Sequence, residues 1–319
     1  MKKEIMQRTV VVWFLAMVSC ILWGSAFPCI KIGYRLFHIP SGDAASQIFF
    51  AGCRFFLAGV LVLLIAGTFG RKSVMLRKEE IPRALILSVF QTSLQYVFFY
   101  MGLAHTTGVK SSIINGAGSF FVILIAALIF HQEKLTGRKM AGCFLGFLGV
   151  ALINLGGSGG MDMTFRWNGE LFILISTVSA ACSSALIKEF SRKSDPVLLS
   201  GWQFVFGGFF MMCLGKIMGG TLAFHGTSPL ILLFYMACIS AVAYSLWSVL
   251  LKYNNPSRVA VFGCMNPIFG VMLSAVLLKE KSQAFSLTGL TSLVLVCTGI
   301  YIVNKENPSK EALKGRTFV

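Results

Sequence analysis

The sequence predicts an all-α membrane protein of ten transmembrane helices, arranged as two inverted five-helix repeats. Three observations support this: a composition unsuited to a water-facing surface, ten apolar stretches of helical length, and a match between the two halves. Of the 319 residues, 56% are hydrophobic and only 13% are charged, against roughly a quarter charged in typical soluble domains. The composition therefore excludes a soluble fold, and 29 phenylalanines exclude a disordered chain.

Each apolar stretch holds roughly 20 residues, the length that an α-helix needs to cross about 30 Å of hydrocarbon. The first stretch follows three basic residues, as in a signal peptide, but its apolar part is too long for a cleavable segment. We therefore count it as the first helix. The ten stretches cover residues 9–34, 45–69, 82–106, 110–130, 138–156, 168–188, 197–219, 228–251, 257–279 and 284–303.

The basic residues predict the orientation of the chain in the membrane. Lys and Arg number 28 against 12 Asp and Glu, for a net charge of +16. With the N-terminus inside the cell, 20 basic residues fall on the cytoplasmic side and 7 on the opposite side, while Arg54 lies within the second helix. By the positive-inside rule, both termini are predicted to be cytoplasmic. The excess of basic residues therefore indicates the orientation of the chain in the membrane. The partners that it predicts are membrane lipids and not nucleic acid.

The two halves of the chain match each other. Gly116 to Gly142 aligns with Gly263 to Gly289 at a constant offset. Because each half has five helices, an odd number, the second half must enter the membrane from the opposite side, as in many secondary transporters. The predicted parts are a first repeat at 1–156, a linker at 157–167, a second repeat at 168–305 and a cytoplasmic tail at 306–319.

Three short motifs add to the repeat. They are Trp23-Gly24-Ser25-Ala26-Phe27, Arg54-Phe55-Phe56-Leu57-Ala58-Gly59, and Asn266-Pro267-Ile268-Phe269-Gly270 followed by Leu278-Lys279-Glu280. With these motifs in this order along the sequence, the chain resembles the EamA-type branch of the drug/metabolite transporter superfamily over about residues 8–305. The resemblance implies a secondary transporter of the bacterial inner membrane. Such a transporter exports small metabolites, such as amino acids or related compounds, by alternating access.

Polar residues inside the apolar stretches are the candidate substrate-binding residues, because a polar group in hydrocarbon needs a partner. The pairs Asn115-Gly116 and Asn266-Pro267 weaken helices four and nine, and loosened helices expose polar backbone groups. We therefore predict a central cavity between the halves. Its predicted lining is Trp23, Ser25, Arg54, Gln91, Gln95, Tyr96, Asn115, Ser119, Ser183, Tyr244, Trp247 and Asn266.

Several of these residues have a structural alternative. Arg54 could bind backbone carbonyls at a helix interface, and a serine commonly bonds back to the preceding turn. Gly142, Gly146 and Gly149 have the small-residue spacing of closely packed helices. That spacing suits packing within one protomer or in a homodimer.

The sequence predicts no catalytic residue, metal site or cofactor. Its nine cysteines form no CxxC pair, and the glycine-rich stretch 156–160 lacks the pattern of a phosphate-binding loop. All 12 acidic residues lie near segment ends or in loops, which favours facilitated transport over proton coupling, although Glu170 or Glu189 could reach inward. A membrane-embedded enzyme and a structural membrane protein without transport are the alternatives to a transporter.

Overall fold

The computed structural model describes residues 2–68, 74–131, 135–155, 167–254, 259 and 261–304. The described residues form helices and no strands, which confirms the predicted all-α class. The tail at 306–319 and all of the linker except Trp167 lie outside the described residues.

Ten apolar helices follow one another along the described part of the chain. They are α1 (Thr9–Leu36), α2 (Ala44–Thr68), α3 (Ile81–His105), α4 (Gly108–Leu128), α5 (Gly137–Leu155), α6 (Trp167–Phe190), α7 (Pro196–Ile217), α8 (Ser228–Tyr253), α9 (Met265–Leu277) and α10 (Leu287–Asn304). All except α5, α9 and α10 are long and apolar enough to cross a membrane, which gives seven candidate spans. The number of crossings and the inverted repeat stay predictions.

The bounds of the helices agree closely with the predicted stretches, except at α9. The prediction starts this element at residue 257, whereas the α-helix begins at Met265 after a 3₁₀ turn, Val261–Cys264. Asn266 and Pro267 lie in the first turn of α9, where a proline removes no needed hydrogen bond. The weakened pair therefore marks the start of the helix.

Helices α2 and α7 pack with their backbones in direct contact. A Cβ added at Gly52 would lie 2.5 Å from the amide nitrogen of Met212, and one at Gly208 would lie 2.3 Å from that of Phe56. Neither position has room for a side chain, so glycine on both helices allows this close approach.

The glycines of α5 pack against α10 of the same chain. A Cβ added at Gly142 would lie 2.8 Å from the carbonyl oxygen of Gly299, and one at Gly149 would lie 2.8 Å from that of Ser292. Packing within the protomer therefore accounts for the small-residue spacing. The homodimer stays a prediction.

The remaining packing also joins the two halves of the chain. Helix α1 packs on α8 and α9, and α6 packs on α3 and α4. The halves α1–α5 and α6–α10 therefore interlock. A space between them is surrounded by α1, α2, α3, α4, α6, α8 and α9.

Candidate binding cavity

A cavity of about 190 Å³ lies between the two halves. Of the twelve residues predicted to line it, eleven do: Trp23, Arg54, Gln91, Gln95, Tyr96, Asn115, Ser119, Ser183, Tyr244, Trp247 and Asn266. Ser25 is absent from the lining. Its hydroxyl donates to the carbonyl oxygen of Leu22 (2.8 Å) and lies 3.1 Å from the hydroxyl of Tyr235, so it connects α1 to α8.

Irregular helix geometry brings polar groups to the cavity. Gln91 lies in a π-helical segment of α3, Ser88–Leu94, and Asn115 lies just before an interruption of α4 at Ala117. Asn266 follows the 3₁₀ turn at the start of α9. Such departures from α-geometry are common at functional sites in membrane proteins because they release backbone polar groups. The interruption in α4 confirms the weak point predicted at Asn115-Gly116.

One wall of the cavity combines aromatic rings with amide and hydroxyl groups. The indole of Trp23 contacts the rings of Tyr244 and Trp247 edge-on, with centroids 5.2 and 5.1 Å apart. Gln95 donates from Nε2 to the hydroxyl of Tyr244 (3.5 Å), which is also hydrogen-bonded to the hydroxyl of Tyr96. This wall offers flat apolar surfaces with polar groups between them.

Arg54 supplies the cavity with a buried positive charge. Its side chain is 1% exposed, and no other charged residue lines the described cavity. Nε donates to the carbonyl oxygen of Met236 (3.1 Å) and Nη1 donates to the hydroxyl of Tyr100 (3.0 Å). The guanidinium carbon also lies 4.9 Å from the ring centroid of Phe55. Arg54 therefore binds a carbonyl at a helix interface, as one interpretation of the sequence predicts, and it also lines the cavity, while its role in substrate binding stays a prediction.

The prediction missed a stripe of small residues on α6. Thr177, Ala180, Ala181 and Ser184 all line the cavity. Their i, i+3, i+4, i+7 spacing places them on one helix face, so periodicity alone could have found them. Thr177 donates to the carbonyl oxygen of Ile173 (2.7 Å) and to Oδ1 of Asn115 (3.5 Å), which ties α6 to α4 beside the cavity.

Two carboxylates join the halves at one end of the bundle, which we call the ion-pair end. Glu170 of α6 accepts from Nζ of Lys110 (3.1 Å) and from the hydroxyl of Thr106 (3.0 Å). Glu280, just after α9, accepts from the first backbone amides of α4, those of Gly108 (3.3 Å) and Val109 (3.0 Å). A carboxylate at a helix N-terminus is favoured by unpaired amides and the helix dipole.

Glu280 has a further partner on α1. Nζ of Lys31 lies 3.8 Å from its Oε1. Glu170 and Glu280 thus both belong to the second half of the chain and bind groups of the first half. Glu170 therefore lies at a helix end and not in the cavity. The sequence had left open that its side chain reaches inward.

At the opposite end of the bundle, which we call the N-terminal end, Nη1 of Arg83 on α3 donates to the hydroxyl of Ser194 between α6 and α7 (2.9 Å). Two further bonds at this end are neutral. Gln7 donates from Nε2 to the carbonyl oxygen of Tyr253 (2.9 Å), and Asn254 donates from Nδ2 to that of Met6 (2.9 Å). The cavity lining extends toward this end as far as Leu251 on α8 and Ile187 on α6. Toward the ion-pair end, the α1 lining stops at Phe27, about one turn before Lys31.

Comparison with known proteins supports a transporter. The chain is 26% identical over 295 residues to an uncharacterized transporter of Archaeoglobus fulgidus, covering 91% of this chain and 98% of that protein. It is 25% identical over 302 residues to a probable amino-acid metabolite efflux pump of Salmonella typhimurium, covering 91% and 93%. A solved crystal structure shares the fold, with a TM-score of 0.65 and 15% identity over 97% of this chain and 99% of that one.

The comparison with protein families is more specific. The model of the EamA-like transporter family matches residues 11–155 and matches again over residues 167–305. These two matches cover most of the chain, and the apolar helices agree with a multi-pass membrane protein. The chain therefore belongs to the EamA-like transporter family, as its motifs had indicated.

Proposed function

We propose that this transporter is a secondary carrier that exports small metabolites of the amino-acid type across the bacterial inner membrane by alternating access. The observation that carries the proposal is a cavity with polar groups between two interlocked halves of apolar helices. Secondary transporters hold their substrates at such a place. The name of the Salmonella typhimurium relative, a probable amino-acid metabolite efflux pump, supports both the substrate class and the direction.

The difference between the two ends supports alternating access. Charged side chains join the halves at the ion-pair end, whereas the cavity lining extends toward the N-terminal end. A carrier must break one set of contacts between its halves to open the other side. With both termini in the cytoplasm, as the basic residues predict, the ion-pair end is periplasmic and the cavity lies on the cytoplasmic side. An exporter loads its substrate from that side.

Ten membrane crossings and an inverted repeat belong to the same proposal. Helix contacts support them: α1 packs on α8 and α9 while α6, the first helix of the second half, packs on α3 and α4. Helix α2 packs on α7, and α5 packs on α10. Two halves related by a two-fold axis would produce this pattern. Helix α10, with 18 residues, is about 27 Å long, close to the thickness of the hydrocarbon core.

Exchange in proteoliposomes tests the transport function. The purified protein is reconstituted with internal amino acids or nucleosides, and uptake of the labelled solute is measured with and without a pH gradient. We expect saturable exchange of amino acids that does not require the gradient, because the cavity lining in the described residues holds no carboxylate or histidine. A requirement for the gradient would contradict facilitated exchange, and absence of saturable exchange across the panel would favour a structural protein without transport.

A pair of tryptophan substitutions links the exchange to the cavity. Ser119→Trp fills part of the cavity, so we expect it to reduce exchange by at least tenfold. Phe209→Trp is the matched control, because Phe209 lies on the outer face of α7 with 59% of its surface exposed. Equal exchange by the two variants, at equal amounts of reconstituted protein, would show that the cavity is not the transport path.

A further inference from the structure

Arg54 is a buried cation that no carboxylate of the described residues neutralises. The ion pairs found in this part of the protein involve Lys31, Arg77, Lys110 and Arg192. Arg54 has two acceptors, a backbone carbonyl and a phenol hydroxyl, and both are neutral. Taking a charge out of water costs free energy that neutral acceptors offset only in part, so buried charges are usually paired.

The guanidinium also has a nitrogen left for a ligand. Nε and Nη1 are occupied by Met236 and Tyr100, while Nη2 makes no hydrogen bond to the described residues. Arg54 lines the cavity. A carboxylate in the cavity would supply the missing negative charge and a strong acceptor, because arginine binds carboxylates through charge-assisted hydrogen bonds.

Three other polar atoms of the cavity residues are buried without a partner. They are a donor, Nε1 of Trp23, and two acceptors, Oε1 of Gln95 and Oδ1 of Asn266. Buried polar atoms are nearly always hydrogen-bonded in native proteins. The cavity thus offers unused donors, one of them charged, together with unused acceptors. A solute with both a carboxylate and an ammonium group would satisfy both kinds.

Arg54 and Gln95 reach the cavity beside one cluster of tyrosines. Arg54 donates to the hydroxyl of Tyr100, whose ring centroid lies 6.4 Å from that of Tyr96. The hydroxyl of Tyr96 is bonded to that of Tyr244, which accepts from Gln95. Both residues line the cavity, so a single small solute can contact the two groups.

We propose that Arg54 binds the carboxylate of the transported solute and that Gln95 and Asn266 accept hydrogen bonds from its ammonium group. This inference rests on the proposed transport function and assigns its specificity to particular residues. The aromatic wall of Trp23, Tyr244 and Trp247 then contacts the apolar part of the solute.

Matched derivatives of each amino acid test the inference on the unaltered protein. Each of the twenty common amino acids is offered in proteoliposomes as the free acid, as the amide, which lacks the carboxylate, and as the N-acetyl acid, which lacks the ammonium group. A charge-assisted hydrogen bond contributes about 1.5–3 kcal/mol. We therefore expect the acid to have a KM roughly 10-fold to 100-fold below that of its amide.

Substitutions then identify the groups responsible. Arg54→Gln should abolish the preference for the acid over the amide, because it removes the charge. Gln95→Leu should keep that preference and lose the preference for the free acid over the N-acetyl acid. Cys53→Ala is the matched control, since Cys53 precedes Arg54 on α2 without lining the cavity, and it should keep both preferences.

The outcomes separate this inference from the proposed function. Equal KM values for the acids and their amides with the unaltered protein would overturn the inference and leave the carrier in place. Absence of saturable exchange for every solute would overturn the carrier and the inference with it. If Arg54→Gln does not elute as a single species in size-exclusion chromatography, the comparison of acid and amide on the unaltered protein tests the inference instead.

Discussion

The two ends of the helix bundle are joined by different chemistry. At the ion-pair end, Glu170 and Glu280 of the second half bind cationic side chains and backbone amides of the first half. At the N-terminal end, Gln7 and Asn254 form neutral amide–carbonyl bonds between the residues that precede α1 and the end of α8. Charge-assisted hydrogen bonds are roughly twice as strong as neutral ones. Such bonds join the halves at the N-terminal end from Arg83 to Ser194 and at the ion-pair end through both Glu170 and Glu280, so the ion-pair end has the stronger set of contacts.

Reversing the charge of Glu280 should have the largest effect on this difference. Glu280→Lys leaves the amides of Gly108 and Val109 without an acceptor and places a cation beside Lys31, whose side chain is only 21% exposed. We expect exchange in proteoliposomes to fall at least tenfold, because the ion-pair end no longer closes.

The neighbouring substitution Lys281→Ala is the control, since Lys281 is exposed. It should leave exchange within a factor of two. Normal exchange by Glu280→Lys would mean that the ion-pair end takes no part in the transport cycle.

A double-mutant cycle on Glu170 and Lys110 should reveal a coupling of about 1–3 kcal/mol. The two side chains are 3% and 13% exposed and 3.1 Å apart, so each loses a close partner when the other is replaced. The cycle uses Glu170→Gln, Lys110→Met and the double variant, with the unfolding free energy measured in detergent. Additive effects would show that the pair does not couple the halves.

The N-terminal end should respond less. Gln7→Ala and Asn254→Ala each remove one neutral hydrogen bond between the residues that precede α1 and the end of α8, and such bonds contribute about 0.5–1.5 kcal/mol each. We expect each variant to change exchange less than threefold. A loss as large as that of Glu280→Lys would contradict the ranking of the two ends.

The smallest expected effect concerns Glu80, a carboxylate at the N-terminal end whose partner in the second half is the neutral hydroxyl of Ser194. Burial raises the pKa of Glu80, but hydrogen bonds from Arg77 and Ser194 outweigh it and hold the pKa below its ordinary value of 4.5. A lowered folded-state pKa stabilises the protein above the ordinary pKa, and this stabilisation is lost as the pH falls through the folded value.

Glu80→Gln should therefore remove a small part of the fall in melting temperature below about pH 4.5 and leave exchange at pH 7 unchanged. The measurement is thermal unfolding of both proteins in detergent from pH 3 to pH 7. Identical pH profiles would show that Glu80 contributes nothing to acid stability.

Much of the cavity could be predicted from the sequence, because hydrocarbon makes polar residues conspicuous. Gln91, Asn115 and Asn266 stand out within apolar stretches, and all three line the cavity. Ser25 stands out equally but bonds to Leu22 and Tyr235. A serine can satisfy itself on its own helix or on a neighbour, and only packing decides which. The spacing of Thr177 and Ser184 places them on one face of α6, so their position at the cavity could also have been predicted.

The sequence by itself determined the helical class, the helix bounds except at α9, and the family, since these depend on local hydrophobicity, on its period and on short motifs. Tertiary structure alone decided which groups meet. Glu280 lies 171 residues from Val109 and 249 from Lys31 along the chain, and no local pattern relates them. The sequence also could not predict the partners of Arg54. Met236 accepts through its backbone carbonyl, a group that every residue has. Contacts between distant segments arise only when the halves interlock.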